Sequence, residues 1–533
     1  MIRPVLLATA AMLALPSVAN AQDRPRTSVT PYIEVSQTLD ADLKGGDTVT
    51  YTSVAAGVDA AVTTARINGQ ISYRYEHRFG EGHDLGDDDI HTGLARVDAK
   101  LTPALTFEAG GIATRARSDI RGAAPGVLVG NVDNVSQLYG VYAGPTLATQ
   151  LGVVNVGAAY QIGYTKVETP TYAGPIDGQR LDYYDHSLGQ LATATVGIAP
   201  GTVLPVGVTL SGLYEREDGA QLGQRFEGYH GRGDVLLPVS PNVALTAGVG
   251  YERIEASQRD PLLTAGGTPV LDGNGRFETD PNSPRRIAYR TDGVYYDAGV
   301  VWRPDRRTSV EAHVGRRYGS LSYTGTATYQ ASKTVGFAVN VYDSVQTFGQ
   351  QLRQGVAALP TSFVSNQDPF SQQFNGCVFG TSGGAPGGCL DSVFQSITTA
   401  SYRARGVDAV GTITRGLSTF GVGIGYANRR LYAPTGGSGI VVYGDEDESY
   451  YGQLFWARSL SRNSGLDVNA FVDYYTTQLS GGEGTWSYGA TGSYYRNFGR
   501  LSTTASVGLY SFKVGDLSSD VSLQALLGAR YHF

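Results

Sequence analysis

The sequence predicts an all-β chain forming one transmembrane antiparallel β-barrel of about 22 strands (roughly 20–24). Three observations predict it. Apolar and polar residues alternate in segment after segment along nearly the whole chain. Successive strand side chains point to opposite faces, so each such segment has one greasy and one wet face. Short polar connections also take turns with long ones. The last segment, Val521 to Phe533, is itself such a strand and ends on an aromatic residue.

The elements follow in chain order. Arg3, the apolar run Val5 to Leu15, Pro16 and the small-x-small site Ala19-Asn20-Ala21 read as a signal peptide over residues 1–21. That run is too short to span a bilayer as a helix. Residues 22–533 are then the barrel. Within it, Ile67, Ile71, Tyr73 and Tyr75 oppose Asn68, Gln70, Ser72, Arg74 and Glu76. The same pattern runs through 154–164, 243–252 and 466–475. In the closing strand Val521, Leu523, Ala525, Leu527, Ala529, Tyr531 and Phe533 oppose a polar face broken only by Leu526.

Short connections are expected at Thr102-Pro103-Ala104, Thr149-Gln150, Ala199-Pro200-Gly201, Ser240-Pro241-Asn242, 304–307, Arg415-Gly416-Leu417, 461–464 and Phe498-Gly499-Arg500. Longer polar stretches fall near 80–90, 117–134, 167–181, 217–225, 257–287, 346–400 and 432–448. Parity is kept if 321–330 and 335–343 are two strands joined by a turn at Ala331-Ser332-Lys333. An even strand number puts both termini on the periplasmic side.

Loop 346–400 is the longest connection, and a loop of that length is usually functional or disordered. Leu352, Val356, Leu359, Phe363, Phe370 and Phe374 make it too apolar for solvent. It is expected to be extracellular or to fold into the barrel mouth or lumen and narrow it. Cys377 and Cys389, the only cysteines, are expected to form a disulfide that staples it, because exported chains live where disulfides persist. Only Gln22 to Ser28 lie between the expected cleavage site and the first strand, so no plug domain is expected. That speaks against energised, receptor-type uptake.

The assigned faces name the candidate lumen-lining residues: Arg74, Glu76, Arg96, Asp98, Lys100, Glu108, Glu215, Glu252, Glu311, His313, Arg317, Arg429, Asp467, Asp473 and Arg530. Signs are mixed, with a slight acidic excess. Such groups solvate one another in a watery interior, and they equally line a pathway for small hydrophilic solutes. Clusters Asp87-Asp88-Asp89 and 445–448 match no calcium-loop spacing and read as solvated loop charge. Arg232-Gly233-Asp234 falls inside a predicted strand and is discounted as an exposed recognition tripeptide. Asp185-His186-Ser187 has the residue types of a hydrolase site, but neighbouring strand residues face opposite ways and cannot converge. No GxSxG, HExxH or metal-ligand spacing occurs. No enzyme activity, cofactor or metal is expected.

Composition agrees. The 71 Gly and 34 Tyr, mean hydropathy of −0.15 and lack of a long apolar run fit strands that meet lipid on alternate residues. A net charge of −7 without a basic stripe speaks against nucleic-acid binding.

A chain that stops on such a strand resembles outer-membrane β-barrels, whose last strand closes against the first. That resemblance implies recognition of Leu527, Ala529, Tyr531 and Phe533 by the barrel-assembly machinery, with outer-membrane lipids and lipopolysaccharide as surroundings. Residues 307–319 (Arg-Thr-Ser-Val-Glu-Ala-His-Val-Gly-Arg-Arg-Tyr-Gly), Ala358-Leu-Pro-Thr-Ser-Phe363, Asn375-Gly-Cys-Val-Phe-Gly380 and Arg530-Tyr-His-Phe533 carry a narrower resemblance. They resemble the uncharacterised bacterial outer-membrane β-barrel proteins of the β-barrel porin (second type) family. Some such barrels are associated with exopolysaccharide export; the family brings no catalytic residues to carry over. The reading is a porin-like channel for passive diffusion of small hydrophilic solutes. The alternatives are a conduit associated with exopolysaccharide export, or a structural or surface-interaction barrel without an open pore.

Overall fold

The computed structural model describes residues 26–46, 48–80, 88–117, 135–168, 184–272, 276–364, 367–374, 376–394, 397–435, 443–478, 484–516 and 519–533. The expected signal peptide, Asp87 and Asn375 lie outside the described residues.

A single 22-stranded sheet closes on itself. Its first half consists of β1 (Arg26–Asp42), β2 (Thr48–Thr63), β3 (Ile67–Gly80), β4 (Asp88–Lys100), β5 (Leu105–Arg117), β6 (Val135–Leu151), β7 (Val154–Glu168), β8 (His186–Ile198), β9 (Gly207–Gly219), β10 (Arg225–Ser240) and β11 (Val243–Gln258). The second half consists of β12 (Arg286–Trp302), β13 (Thr308–Arg317), β14 (Ser320–Ser332), β15 (Val335–Gln346), β19 (Ser401–Arg415), β20 (Ser418–Tyr432), β21 (Glu446–Ser461), β22 (Ser464–Thr477), β23 (Thr485–Phe498), β24 (Leu501–Val514) and β25 (Asp520–His532). Between β15 and β19 come helix α1 (Phe348–Ala358), a small sheet of β16 (Phe363–Val364), β17 (Cys377–Ser382) and β18 (Ala385–Cys389), and helix α2 (Asp391–Phe394).

Every wall strand pairs antiparallel with its neighbours, β15 with β19 across the inserted segment. The ring closes where β1 meets β25, from Tyr32 opposite His532 to Asp42 opposite Ser522. Closure leaves no free sheet edge, which is the liability an open sheet of this size carries.

The outward face is apolar around the ring. Leu527 is 70% exposed and Val294 69%, and Val29, Leu210, Leu454 and Phe533 behave alike. Tyr251, Tyr296, Tyr323, Tyr450, Tyr488 and Trp486 add aromatic rings to that face. The buried side chains point inward.

The two rims differ. Two-residue turns at Gly152-Val153, Pro241-Asn242, Lys333-Thr334, Gly416-Leu417, 462–463 and Gly499-Arg500 lie on one rim. Two expected turns therefore shift along the chain. The turn placed at Thr149-Gln150 sits at Gly152-Val153, because Gly152 supplies the positive φ of 62° that the reversal needs. The turn placed at Ala331-Ser332-Lys333 sits at Lys333-Thr334, and β14 and β15 outrun their expected ends. The other rim carries the longest connections, and its shortest joins β13 and β14 through Tyr318-Gly319 alone. Both residues have positive φ (53° and 75°), the geometry of a tight hairpin whose twist matches its strands.

Charge at 445–448 does not stay in a loop. Glu446 to Glu448 begin β21, and Asp447 is fully buried opposite Arg429 of β20. Inter-strand pairing extends further toward this rim than the polar sequence suggests.

Candidate functional site

The lumen is the candidate site, and it holds much of the segment between β15 and β19. Thr347 caps α1 with a reciprocal box: its hydroxyl accepts from Gln350 N, and the Gln350 side chain accepts from Thr347 N. Phe348, Leu352 and Val356 of α1 pack with Leu94, Ile112, Leu138 and Tyr142 of the wall. The same core takes in Leu359, Phe363, Phe374, Leu390, Val393 and Phe394. On another side Phe379 and the disulfide meet Val410, Tyr451 and Phe455. On a third, Phe370 meets Tyr510 and Leu526.

Leu526 is thus the apolar exception on the wet face of the closing strand because it receives Phe370. Cys377 and Cys389 are bonded to each other and sit opposite one another in the β17–β18 hairpin. The wall beneath that hairpin is glycine: a Cβ at Gly423 would overlap Cys377 Sγ, and one at Gly421 would meet the Phe379 ring at 2.7 Å.

Polar contacts tie the segment to the wall along its length. Arg353 and Glu217 form an ion pair with both side chains about 5% exposed or less, and Thr347 donates to Glu217 at 2.7 Å. Arg96 Nε donates to Leu359 O at 3.1 Å, Thr92 to Gln372 O at 2.9 Å, and Cys377 N to Gln453 Oε1 at 2.8 Å. Gly383 N donates to Lys333 O at 2.8 Å, within the short-turn rim. The segment therefore runs from the long-connection rim to the short-turn rim. The expectation of no plug needs this qualification: lumenal filling exists, and it is inserted between strands.

Asp391 opens α2 within reach of both sulfurs. Disulfide sulfurs are not thiolates, so this trio lacks the ligands that bind zinc. Burial, then Asp473 and Asp408 beside it, hold the Asp391 carboxyl well above the usual carboxylate range.

The expected lumen residues fall into groups. Glu34 of β1 joins three of them: Arg74 binds it at 2.9 Å and Arg530 at 2.6 Å, while Arg74 also binds Glu76 at 2.7 Å. Glu252 meets Arg317 at 2.7 Å and His230 at 3.3 Å, and His230 meets Glu215 at 3.3 Å. His313 lies between Asp297 and Glu311, 3.0 Å from each. Arg96 turns to the filling segment, with Asp98 at 3.8 Å. Arg429 stacks over Tyr402, 5.0 Å from the ring centre. Glu108 and Asp467 are half-buried, and Lys100 is exposed at the end of β4; none of the three makes an ion pair among the described residues. Asp473 is half-buried and faces Asp391.

Sequence reasoning missed Glu34, Glu217, Arg232, Asp234, Asp297 and Arg353. Four of these were open to the alternation rule. Glu34 alternates with Ile33 and Val35, and Arg232 and Asp234 are two apart, so they share the inward face. Asp297 follows Tyr295 on the same face of β12. Arg353 had no such signal beyond the capping pattern at Thr347 and Gln350.

A cavity of about 180 Å³ remains beside the filled part. It lies against β9, β10 and β12 to β15, lined by His230, Arg232, Asp234, Asp297, Glu311 and His313 among others, and no described residue of the inserted segment lines it. Ser187 faces inward under Arg353 and Tyr184, while His186 pairs with Asp185 at 3.0 Å. The three do not share a face.

No family model matches this chain, and no curated protein matches it. Solved structures resembling it include the FrpB iron transporter of Neisseria meningitidis (F5-1 variant), at 10% identity and a TM-score of 0.41 over 95% of this chain and 82% of that one. Others are OccAB4 of Acinetobacter baumannii (10%, TM-score 0.30, 96% and 100%) and the alcaligin receptor FauA of Bordetella pertussis (11%, 0.36, 94% and 76%). At these TM-scores the likenesses carry no argument about what this chain does.

Proposed function

We propose that this chain is an outer-membrane channel of porin type that passes small hydrophilic solutes by diffusion. A continuous apolar outer face needs an apolar solvent, because water would leave a patch far larger than soluble proteins tolerate. A closed barrel is one of the two structures whose backbone can cross a bilayer fully bonded. In this reading the short-turn rim and both termini are periplasmic, the long connections are extracellular, and outer-membrane lipid and lipopolysaccharide surround the wall. The closing face at Leu527, Ala529, Tyr531 and Phe533 is the surface offered to the assembly machinery.

The observation that carries the channel reading is the charged cavity left beside the filling segment. Water and small solutes are accommodated where side chains supply hydrogen bonds. The segment from Thr347 to residue 400 narrows the route, and none of its described residues lines that cavity. In planar bilayers the purified full chain is expected to give stepwise conductance. Folded protein that never conducts, with or without the filling segment, would sink the reading.

A further inference from the structure

We propose that the cavity against β9–β15 is a binding site for a small organic cation bearing an amine or guanidinium group. This deepens the channel reading by naming the solute class. The charges facing it are unequal. Arg232 is held by Asp297, with Nη2 to Oδ1 at 2.9 Å, and by Asp234, with Nε to Oδ1 at 2.7 Å. Arg317 is held by Glu252 at 2.7 Å and lies 4.7 Å over the Tyr295 ring. Both guanidiniums are therefore already neutralised by carboxylates.

His313 has a carboxylate oxygen 3.0 Å from each ring nitrogen, so it satisfies both only as an imidazolium. His230 likewise has a carboxylate oxygen 3.3 Å from each ring nitrogen, Glu215 at Nε2 and Glu252 at Nδ1, and counts as a second imidazolium. Five carboxylates (Glu215, Asp234, Glu252, Asp297 and Glu311) then surround four cations (Arg232, Arg317, His230 and His313), while Asp343, also in the lining, is held by Arg403 at 2.6 Å.

The excess has an outlet. Asp234 is 6% exposed, lines the cavity, and its Oδ2 has no hydrogen-bond partner. Ser344 Oγ, also in the lining, is buried without one. A buried carboxylate oxygen left unpaired costs free energy that an entering cation recovers. A planar guanidinium matches carboxylates in two-point geometry. An anion would meet the uncompensated Asp234 carboxylate and is disfavoured there.

Equilibrium dialysis of the detergent-solubilised full chain against methylguanidinium tests the site whether or not the barrel conducts. Saturable binding is expected, uncompeted by acetate, and weakened roughly tenfold or more in Asp234→Asn and in Glu311→Gln. Each variant is first checked for the heat-modifiable migration of a folded barrel. Binding that is absent, or equal in the folded variants, overturns the proposal. Bilayer recordings in a potassium chloride gradient separate this from the channel reading: absence of current refutes the channel, whereas an anion-selective current refutes the cation site.

Discussion

Deleting residues 350–395 is expected to raise single-channel conductance at least severalfold. A wall of 22 strands encloses a wide lumen, and barrels of this size are ordinarily plugged. Here the filling spans from Thr347 near one rim to Gly383 near the other, so its removal opens most of the cross-section. The apolar wall residues it leaves bare, Leu94, Ile112 and Leu138, face water in the variant and lower its stability. Conductance is therefore read from protein that still migrates as a folded barrel. A folded variant conducting no more than the full chain would show that the segment does not set the constriction.

The second large effect is expected at Arg353. Replacing it with alanine leaves Glu217 buried without its partner, which costs about 3–5 kcal/mol for a pair of this burial. The loss falls on the inserted segment, because the wall strands keep their inter-strand ladders. Amide exchange should accelerate over 348–358 with little change in the wall. Combining Arg353→Ala with Glu217→Gln should recover part of the loss, since no uncompensated charge then remains. Equal exchange in wild type and Arg353→Ala would mean that helix α1 is held by its apolar contacts alone.

The barrel was legible because one rule governs every strand. Each wall strand is read locally, from side chains two residues apart, and parity links the count to the closing strand. Errors arose where the rule meets a boundary. Thr149 and Gln150 look as polar as a turn, yet the chain reverses a few residues later, at Gly152. Charges at 446–448 were assigned to a loop although β21 starts there.

The lumen was legible in part for the same reason. Inward residues follow from alternation, but their partners do not. Arg353 and Glu217 are separated by over a hundred residues, and nothing local joins them. Leu526 and Gly423 look like blemishes in the sequence pattern; one receives Phe370 and the other leaves room for the disulfide. Such departures from alternation mark where the inserted segment touches the wall.

Solute is expected to pass beside the inserted segment, along the inner face of β10 and β12–β15. The two native cysteines are bonded to each other, so an introduced one is the sole target for a thiol reagent. Thr324 lines the cavity and Tyr323, its neighbour, points outward at 57% exposure. In bilayer recordings, a cationic methanethiosulfonate should cut the current through Thr324→Cys and leave Tyr323→Cys unaffected. A conducting Thr324→Cys barrel whose current the reagent does not change would show that solute takes another path through the barrel.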